Sequence, residues 1–394
     1  MLNFTRLPVT QAGLKQCTSK SYVLHSLLQK LSIDYVNAPT TFPIETPSKA
    51  EIMLKGEKEG LLKPRQYFAY AKLLMTFYKA GVKNAWNNRR ESSRIMATHF
   101  LEMVDKNGDT IKAKPLSFNQ LSDFMSQIIF MSRLELDAVK KLNNASVSDS
   151  TPNMVKRHKT DGKDGDPVAD VKSQLFRLTR SEFQLYYRSG KDIQKLALFF
   201  LTLLIFEEFT PLICYYIPTI APSTCLLPNI YPRIWKPEAL AALESYKQQQ
   251  NQLVEVYATK NAYSLNDDEV RLMSRALRLV GGIVPVGWYP MIYLRRRLQN
   301  HFNYLTVDNY YLSGLNGNGN VWDLSRQELI LCCLERGLLS CVGDIPSNES
   351  MQWSLIRFIY EFENANVGYI GLNAQLEPLG QLEKETDKFL IVNS

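Results

Sequence analysis

The stretch Leu196–Phe206 (LALFFLTLLIF) is followed by Glu207 and Glu208 and then by Phe209–Ile220 (FTPLICYYIPTI). About 25 residues are therefore apolar apart from one acidic pair, a length that can cross a bilayer. On insertion scales the large apolar side chains contribute on the order of −5 to −9 kcal/mol, and two central carboxylates oppose this by roughly 5 to 7 kcal/mol. This balance predicts a membrane segment of marginal stability.

Three prolines interrupt this segment or follow it directly: Pro211, Pro218 and Pro222. Proline removes a backbone donor and breaks a helix unless the freed carbonyls find other partners. We therefore expect a kinked span or a re-entrant segment rather than a straight helix. The alternative is a buried core helix of a soluble protein, because the uninterrupted apolar run of 196–206 fits that as well.

Basic residues near the segment are more numerous before it than after it. They are Arg177, Arg180, Arg188, Lys191 and Lys195 before it, and Arg233 and Lys236 after it. By the positive-inside rule, this asymmetry favours an inside location for the N-terminal side, which in a mitochondrion is the matrix.

Residues 1–35 have the composition of a mitochondrial transit peptide, because no acid precedes Asp34 while basic residues are spread among Ser, Thr, Gln and Leu. An ordinary basic N-terminus is the alternative. The basic excess of the whole chain, a net charge of +7, lies in the N-terminal half. The sequence does not place a cleavage site.

The following residues divide by composition. Residues 36–143 are predicted to form an N-terminal helical region, since apolar residues recur at three- and four-residue steps over Tyr67–Ala80. Residues 144–172 are rich in Ser, Asp, Lys and Gly and almost lack large apolar residues, which predicts a flexible linker. Residues 173–222 contain a lead-in helix and the membrane segment.

Residues 223–363 are predicted to form a C-terminal helical domain. Asn266 and Glu269 have the spacing of a capping box at a helix start, and Ser325 and Glu328 repeat that spacing. These signals predict helices that begin after Asn266 and after Ser325.

Gly337 is predicted to end the second of these helices, and a third is predicted to begin near Ser347. Residues 364–394 form a C-terminal tail in this scheme. The fold class is therefore all-α, a helical membrane-anchored protein with a C-terminal helical domain.

No catalytic or metal-binding pattern is visible. The six cysteines form no CxxC pair, and the four histidines are dispersed. The loop Asn316–Asn320 (NGNGN) lacks the preceding strand and the Lys-Ser/Thr pair of a phosphate-binding loop, which predicts a turn. We expect a binding protein rather than an enzyme, with no cofactor and no metal.

Arginines supply the main candidate binding residues: Arg271, Arg275, Arg278, Arg295, Arg296 and Arg297. The first three have the spacing of one helix face, and no acid lies between Val270 and Val307. Because the planar guanidinium can donate two hydrogen bonds to one phosphate, this patch predicts contact with nucleic acid or a ribosome. The alternative is a solvated charged face near a helix end.

The residues resemble those of the leucine-zipper-EF-hand-containing transmembrane (LETM) proteins of the mitochondrial inner membrane. In the membrane segment the similarity comprises Leu178-Thr179-Arg180, Glu207, Pro211, Pro218 and Pro222-Ser223-Thr224. In the C-terminal domain it comprises Tyr293–Leu298 (YLRRRL), Asp308 and Leu324–Gly337 (LSRQELILCCLERG). The family's coiled-coil and EF-hand-like tail has no counterpart here, so calcium binding is not carried over.

The resemblance implies an inner-membrane protein whose C-terminal ribosome-binding domain faces the matrix. It implies contacts with the mitochondrial ribosome, through ribosomal RNA or ribosomal proteins, and with inner-membrane lipids. The expected function is support of translation or membrane insertion of mitochondrially encoded proteins, with homo-oligomers or the insertion machinery as further partners. A re-entrant hairpin would reconcile this orientation with the positive-inside rule.

Two other functions remain open. Glu207 and Glu208 within the membrane could form part of a cation or proton path, which predicts a role in K⁺/H⁺ exchange and volume homeostasis. An inner-membrane assembly factor without ribosome contact is the third possibility.

Overall fold

Helices dominate the part of the chain that the computed structural model describes, which confirms the all-α class. That part comprises residues 23, 26–28, 35–44, 63–98, 102–104, 110–112, 117–130, 178–206, 210–226, 234–235, 237–249, 254–281, 284–314, 320–339, 346–362 and 365–372. One short hairpin departs from the prediction, since β1 (Glu102–Val104) pairs antiparallel with β2 (Thr110–Lys112).

The helices are numbered in chain order. They are α1 (Lys63–Thr98), α2 (118–130), α3 (Arg180–Phe206), α4 (Thr210–Tyr216), α5 (Pro237–Gln249), α6 (Val254–Ala258), α7 (Asp267–Ala276), α8 (Met291–Leu312), α9 (Arg326–Glu335) and α10 (Asn348–Phe362). Short 3₁₀ turns lie at Pro39–Thr41, Ser223–Cys225, Val286–Trp288 and Val367–Gly371.

The long helices α1 and α3 pack against each other in antiparallel directions. The Ser189 hydroxyl donates to that of Ser92 at 3.0 Å, and the rings of Tyr78 and Phe199 lie 5.8 Å apart. Residue numbers therefore rise along α3 as they fall along α1. The apolar spacing of Tyr67–Ala80 correctly predicted a helix, which continues to Thr98.

Helix α8 also packs antiparallel to α3. The Arg180 guanidinium donates to Asp308 at 2.8 Å, and the rings of Tyr187 and Tyr304 stack with centroids 4.1 Å apart. The N-terminal half of α3 is thus enclosed, and Phe183 is fully buried there. This arrangement positions the site described below.

The predicted membrane segment folds as a hairpin. Helix α3 ends at Phe206 and α4 begins at Thr210, so Pro211 lies in the first turn of a new helix, where its missing N–H costs little. After α4 the chain returns, and the Ser223 N–H donates to the Asp192 carboxylate at 2.8 Å. Both ends of the hairpin therefore lie at one level.

The return of the chain depends on a close approach to α1. The Thr224 hydroxyl donates to the Gly81 carbonyl at 2.9 Å. A Cβ on Gly81 would lie 2.7 Å from both the Thr224 carbonyl oxygen and the Cys225 sulfur.

Within the described residues, no helix has the length and hydropathy needed to cross a membrane.

The predicted helix starts are largely confirmed. Glu269 accepts from the Asn266 N–H at 2.9 Å, which completes the capping box of α7. Ser325 accepts from the Glu328 N–H at 3.3 Å, but the Glu328 carboxylate does not return to Ser325 and bonds elsewhere. Gly337 ends α9 with a φ of +65°.

The third predicted helix is α10, which begins at Asn348, beside Ser347. Residues 365–372 of the predicted tail do not stand apart, because Val367 and Ile370 are fully buried in the main core. The rest of the tail lies outside the described residues, as does the whole predicted linker at 144–172.

Two hydrophobic clusters cross the predicted domain boundaries. The larger joins Phe77 of α1 to Leu298 of α8, and the smaller packs Val23 and Leu27 against α9 and α10. The Trp322 indole N–H donates to the Leu27 carbonyl at 2.9 Å. Val23 and Leu27, which lie within the predicted transit peptide 1–35, are thus packed in the folded chain, while most of residues 1–35 lie outside the described part.

Candidate functional site

The N-terminal half of α3 contributes to a buried charge cluster. Asp308 accepts from Arg180 at 2.8 Å, from Gln184 at 2.7 Å and from Arg336 at 2.7 Å. The Arg180 guanidinium also donates to the Val36 carbonyl at 2.6 Å. All these charges are withdrawn from solvent, so each must be paired.

A second buried pair lies beside it. Arg188 donates through both terminal nitrogens to the Glu328 carboxylate, each at 2.7 Å. The same carboxylate accepts from the Ala38 N–H at 3.0 Å. These bonds fasten the segment before α1 to α3 and α9.

The ionisation of this cluster follows from its contacts. Burial alone would raise the pKa of Asp308, but Arg180 and Arg336 hold it at about 2. Arg188 likewise keeps the pKa of Glu328 below its usual value against the effect of burial. Burial dominates at Glu335 and raises its pKa.

These ion pairs correct the count of basic residues before the predicted membrane segment, on which the expected membrane orientation was based. Arg180 and Arg188 were counted as membrane-flanking charges, but both are buried in ion pairs with acids of α8 and α9. They do not reach solvent or a lipid headgroup. Among the described basic residues before the hairpin, Lys191 and Lys195 remain as flanking charges.

The C-terminal half of α3 shows the opposite distribution. Its exposed residues are large and apolar, and we call them the apolar tip: Leu198, Phe200, Leu201, Leu204, Ile205 and Phe206. Leu204 is 68% exposed. Leu196, Phe199 and Thr202 face inward, because α1 covers only one side of the helix. The tip thus forms an extended apolar surface.

The predicted membrane-segment residues are placed in part. Glu207 and Glu208 lie outside the described residues, so cation exchange stays a prediction from sequence. The side chain of Pro211 is also outside the description. Pro218 is half-buried and Pro222 is buried at the return of the hairpin.

Three of the six candidate arginines form ion pairs, contrary to the expectation of a patch without nearby acids. Arg295 pairs with Asp267 at 2.7 Å. Arg271 lies 3.8 Å from Asp268, and Arg275 lies 3.9 Å from Glu238. The neutralising acids come from the first turn of α7 and from α5, outside the acid-free interval in the sequence.

The other three arginines differ in environment. Arg278 does not share the α7 face, because the helix ends at Ala276 and Arg278 has a φ of +53°. Its guanidinium lies 5.5 Å from the ring centroid of Trp235. Arg296 is exposed, and Arg297 lies over the Tyr293 ring at 5.1 Å.

The fold brings two of these arginines to α3. Desolvation beside Tyr187, together with the positive charges of Lys195, Arg278 and Arg297, lowers the pKa of Lys191 to about 8. Desolvation and Arg278 also lower the pKa of Lys195. We call Lys191, Lys195, Arg278 and Arg297 the basic collar.

Arg278 and Arg297 were expected in one arginine patch, and Lys191 and Lys195 as charges before the membrane segment, but the four were not expected to form one group. The four-residue spacing of Lys191 and Lys195 on one helix was the available signal. Their association with Arg278 and Arg297 depends on the antiparallel packing of α3 and α8.

Exposed aromatic residues lie at the start of α8. Trp288 is 81% exposed and Ile292 is 78% exposed, while the rings of Tyr289 and Tyr293 stack at 5.6 Å. Since α8 runs antiparallel to α3, its N-terminal end is directed toward the same end of the molecule as the apolar tip. The collar, the aromatic residues and the tip therefore belong to one end of the protein.

Comparison with known proteins corrects the resemblance to the LETM family, because no LETM model matches the chain. The motif Pro222-Ser223-Thr224 has a packing role here, through Asp192 and Gly81. No curated protein and no solved structure matches the chain. The model of the Pentamidine resistance factor domain (PNT1) matches residues 36–313, which is more than half of the sequence. The chain therefore belongs to this family and is a mitochondrial protein.

Proposed function

We propose that this protein is an inner-membrane-associated binding protein of mitochondria that supports membrane insertion or translation of mitochondrially encoded proteins. The observation that carries the proposal is the apolar tip, six exposed large side chains on one half of a helix. Contiguous apolar surfaces of this kind mark membrane or partner contacts. The proposal includes no catalysis.

The tip gains free energy on entering lipid, and this gain is similar to the roughly 5 to 7 kcal/mol by which Glu207 and Glu208 oppose insertion. A fully buried large apolar side chain gains roughly 1.5–3 kcal/mol, so six half-exposed ones gain on the order of 6 kcal/mol on entering lipid. The adjacent hairpin ends, joined by Ser223 and Asp192, leave the body of the protein on one side of the membrane. We propose that this side is the matrix, where the mitochondrially encoded proteins are synthesised.

Membrane association and orientation can be tested in isolated mitochondria with one epitope tag inserted in the predicted linker at 144–172 and one at the C-terminus, so that removal of a transit peptide spares both tags. We expect the protein in the membrane fraction, carbonate-resistant, with both tags protected from protease in mitoplasts until detergent is added. Release of intact protein into the soluble fraction contradicts membrane association. Cleavage of a single tag would indicate a true span instead of a hairpin.

Ribosome contact is the second candidate, favoured by exposed arginines on α7 and α8. The ion pairs of Arg271 and Arg275 are long and exposed, worth about 0–1 kcal/mol each, so both guanidinium groups remain available to phosphate. Arg296, another of the six arginines predicted from the sequence, is also exposed. These three residues support the proposal better than Arg295, which is bonded to Asp267 and the Ala262 carbonyl.

Co-sedimentation of the full chain with mitochondrial ribosomes across a salt series tests this candidate. Changing Arg271, Arg275 and Arg296 to Gln should reduce the log–log salt slope by roughly two to three units, since each phosphate contact contributes about 0.7–0.9. Equal binding of the variant and the wild type at every salt concentration removes these arginines from the function.

A further inference from the structure

We propose that the basic collar binds the headgroup phosphates of anionic phospholipids while the apolar tip enters a single leaflet of the bilayer. This inference rests on the proposed membrane association and adds the lipid class and the depth of insertion. Lys191, Lys195, Arg278 and Arg297 supply the positive charge, and the apolar tip of α3 supplies the apolar surface.

The depth follows from helix geometry. From Lys195 to Phe206 the helix rises by roughly 16 Å, since each residue adds about 1.5 Å. The hydrocarbon core of a bilayer is about 30 Å thick, so the tip reaches about the middle. Glu207 and Glu208 follow Phe206 directly and oppose this depth, and the attraction of the basic collar to anionic headgroups offsets part of that cost. The hydrogen bond between Ser223 and Asp192 returns the chain to the level of the collar. The hairpin therefore occupies one leaflet.

The charges lie at the level that such insertion requires. Lys195 directly precedes the apolar run, and Lys191 lies one turn further from the tip. Lys191 follows Tyr187 by one turn of α3, and Arg297 precedes Tyr304 by two turns of α8. The Tyr187 and Tyr304 rings stack at 4.1 Å between these antiparallel helices, which carries both cations toward the same end. Four cations from three parts of the chain thus border the apolar surface where the headgroups would lie. Long basic side chains commonly reach toward the interface in this way.

Aromatic side chains fit the same boundary. Trp288 is 81% exposed at the start of α8, and Tyr216, at the end of α4, is 73% exposed. Tyrosine and tryptophan favour the membrane–water interface, because one end of the ring system is apolar and the other is polar. Neither side chain is buried in the core, since most of its surface is exposed.

An anionic bilayer explains the collar better than RNA does. RNA phosphates would satisfy the cations, but they would leave the adjacent Leu198–Phe206 surface in water. An anionic membrane satisfies both surfaces at once. Each basic residue near such a surface contributes about fivefold in binding, the equivalent of about 1 kcal/mol.

Flotation of the purified full chain tests the proposal, with phosphatidylcholine vesicles that contain or lack phosphatidylglycerol. We expect binding to the anionic vesicles to exceed binding to the neutral ones. The double variant Lys195→Gln with Arg297→Gln should bind anionic vesicles about 25-fold more weakly. The matched control is Arg94→Gln with Arg326→Gln, which removes the same charge from exposed sites on α1 and α9 and should bind as the wild type does.

Each outcome has one meaning. Equal binding to both kinds of vesicle overturns the role of the collar but leaves membrane association intact. No binding to either kind overturns membrane association itself. Loss of ribosome co-sedimentation in the collar variant, with unchanged vesicle binding, assigns these cations to RNA and overturns the inference.

The depth to which the hairpin enters the bilayer can be tested separately with protease. Protease added outside sealed anionic vesicles should remove tags from both ends of the bound chain, because a one-leaflet hairpin leaves both ends outside. Protection of either tag overturns insertion into one leaflet.

Discussion

The two halves of α3 reverse the usual distribution of polar and apolar residues. The N-terminal half buries Arg180 and Arg188, whereas the C-terminal half exposes Leu204 and Ile205. Both halves belong to one continuous helix of 27 residues. The difference arises from the neighbours, because α8 and α9 bring acids to the first half and cover it, while only one side of the second half meets α1.

The buried charges of the first half and the exposed apolar side chains of the second half have different physical explanations. A buried charge is tolerated here because every guanidinium meets a carboxylate from a distant part of the chain. An exposed apolar side chain is instead unsatisfied in water, and it indicates a surface for lipid or a partner. The first half therefore contributes to folding, and the second half is the one to which we assign binding in the proposed function.

The largest expected effect comes from the buried half. Arg180→Met leaves Asp308 without one of its two cationic partners, and we expect a loss of about 3–5 kcal/mol in the free energy of unfolding, measured by urea denaturation. Arg94→Met is the control, because its pair with Glu91 is exposed and solvent screens it, so the variant should unfold as the wild type does. Equal losses in the two variants would contradict the distinction between buried and exposed pairs.

A smaller effect is expected where the hairpin returns to α1. Gly81→Ala places a methyl group against the Thr224 carbonyl and the Cys225 sulfur, which should cost about 1–3 kcal/mol through overpacking. Gly190→Ala on α3 is the matched change, since no atom lies within 4 Å of its added Cβ. We expect it to stabilise the protein by about 0.5–1 kcal/mol. Similar thermal unfolding temperatures for the two variants would contradict the close approach.

The pH dependence of stability tests the enclosure of the first half. Burial lowers the pKa of His301 to about 3, and its Nε2 atom lies 2.8 Å from the Glu335 carbonyl, to which the neutral ring donates. Between pH 6.5 and about 3 the folded chain therefore binds fewer protons than the unfolded chain, so stability falls as the pH decreases.

From pH 7 to pH 5 this loss should be about 2 kcal/mol, at about 1.36 kcal/mol per pH unit below the unfolded pKa. In His301→Gln, which keeps a donor, urea denaturation at the two pH values should show a loss smaller by about that amount. An unchanged difference would indicate that His301 titrates normally.

The smallest effect on stability is expected at the apolar tip. Leu204→Gln alters a side chain that is 68% exposed, so the free energy of unfolding should stay within about 0.5 kcal/mol of the wild-type value. Vesicle flotation should nevertheless decrease, since the change removes apolar surface from the tip. A destabilised variant would show that Leu204 packs in the core.

Local sequence signals predicted the helices well. Asn266 and Glu269 cap α7 as their spacing requires, and Gly337 ends α9 with a positive φ. These features involve residues a few positions apart, so the sequence contains all their partners. The proline pattern also anticipated the broken hydrophobic segment, because proline acts on its own backbone and on the residues next to it.

The candidate site was predicted less completely. The sequence identified Arg278 and Arg297 but grouped them with arginines that are adjacent in the chain, whereas the structure groups them with Lys191 and Lys195. Glu328 shows the same limitation. It was expected to complete a cap, but Arg188 takes its carboxylate from 140 residues away.

The sequence by itself determined the starts of α7, α9 and α10, the end of α9 and which segment is apolar, because capping, proline geometry and side-chain hydropathy are properties of neighbouring residues. Only the tertiary structure decided that Arg180 and Arg188 are inside and that the tip of α3 is outside. The physical reason is that the cost of burying a charge, or of exposing an apolar side chain, depends on which distant residues the fold places beside it. Asp308 lies 128 residues from Arg180, and no local pattern records that pair.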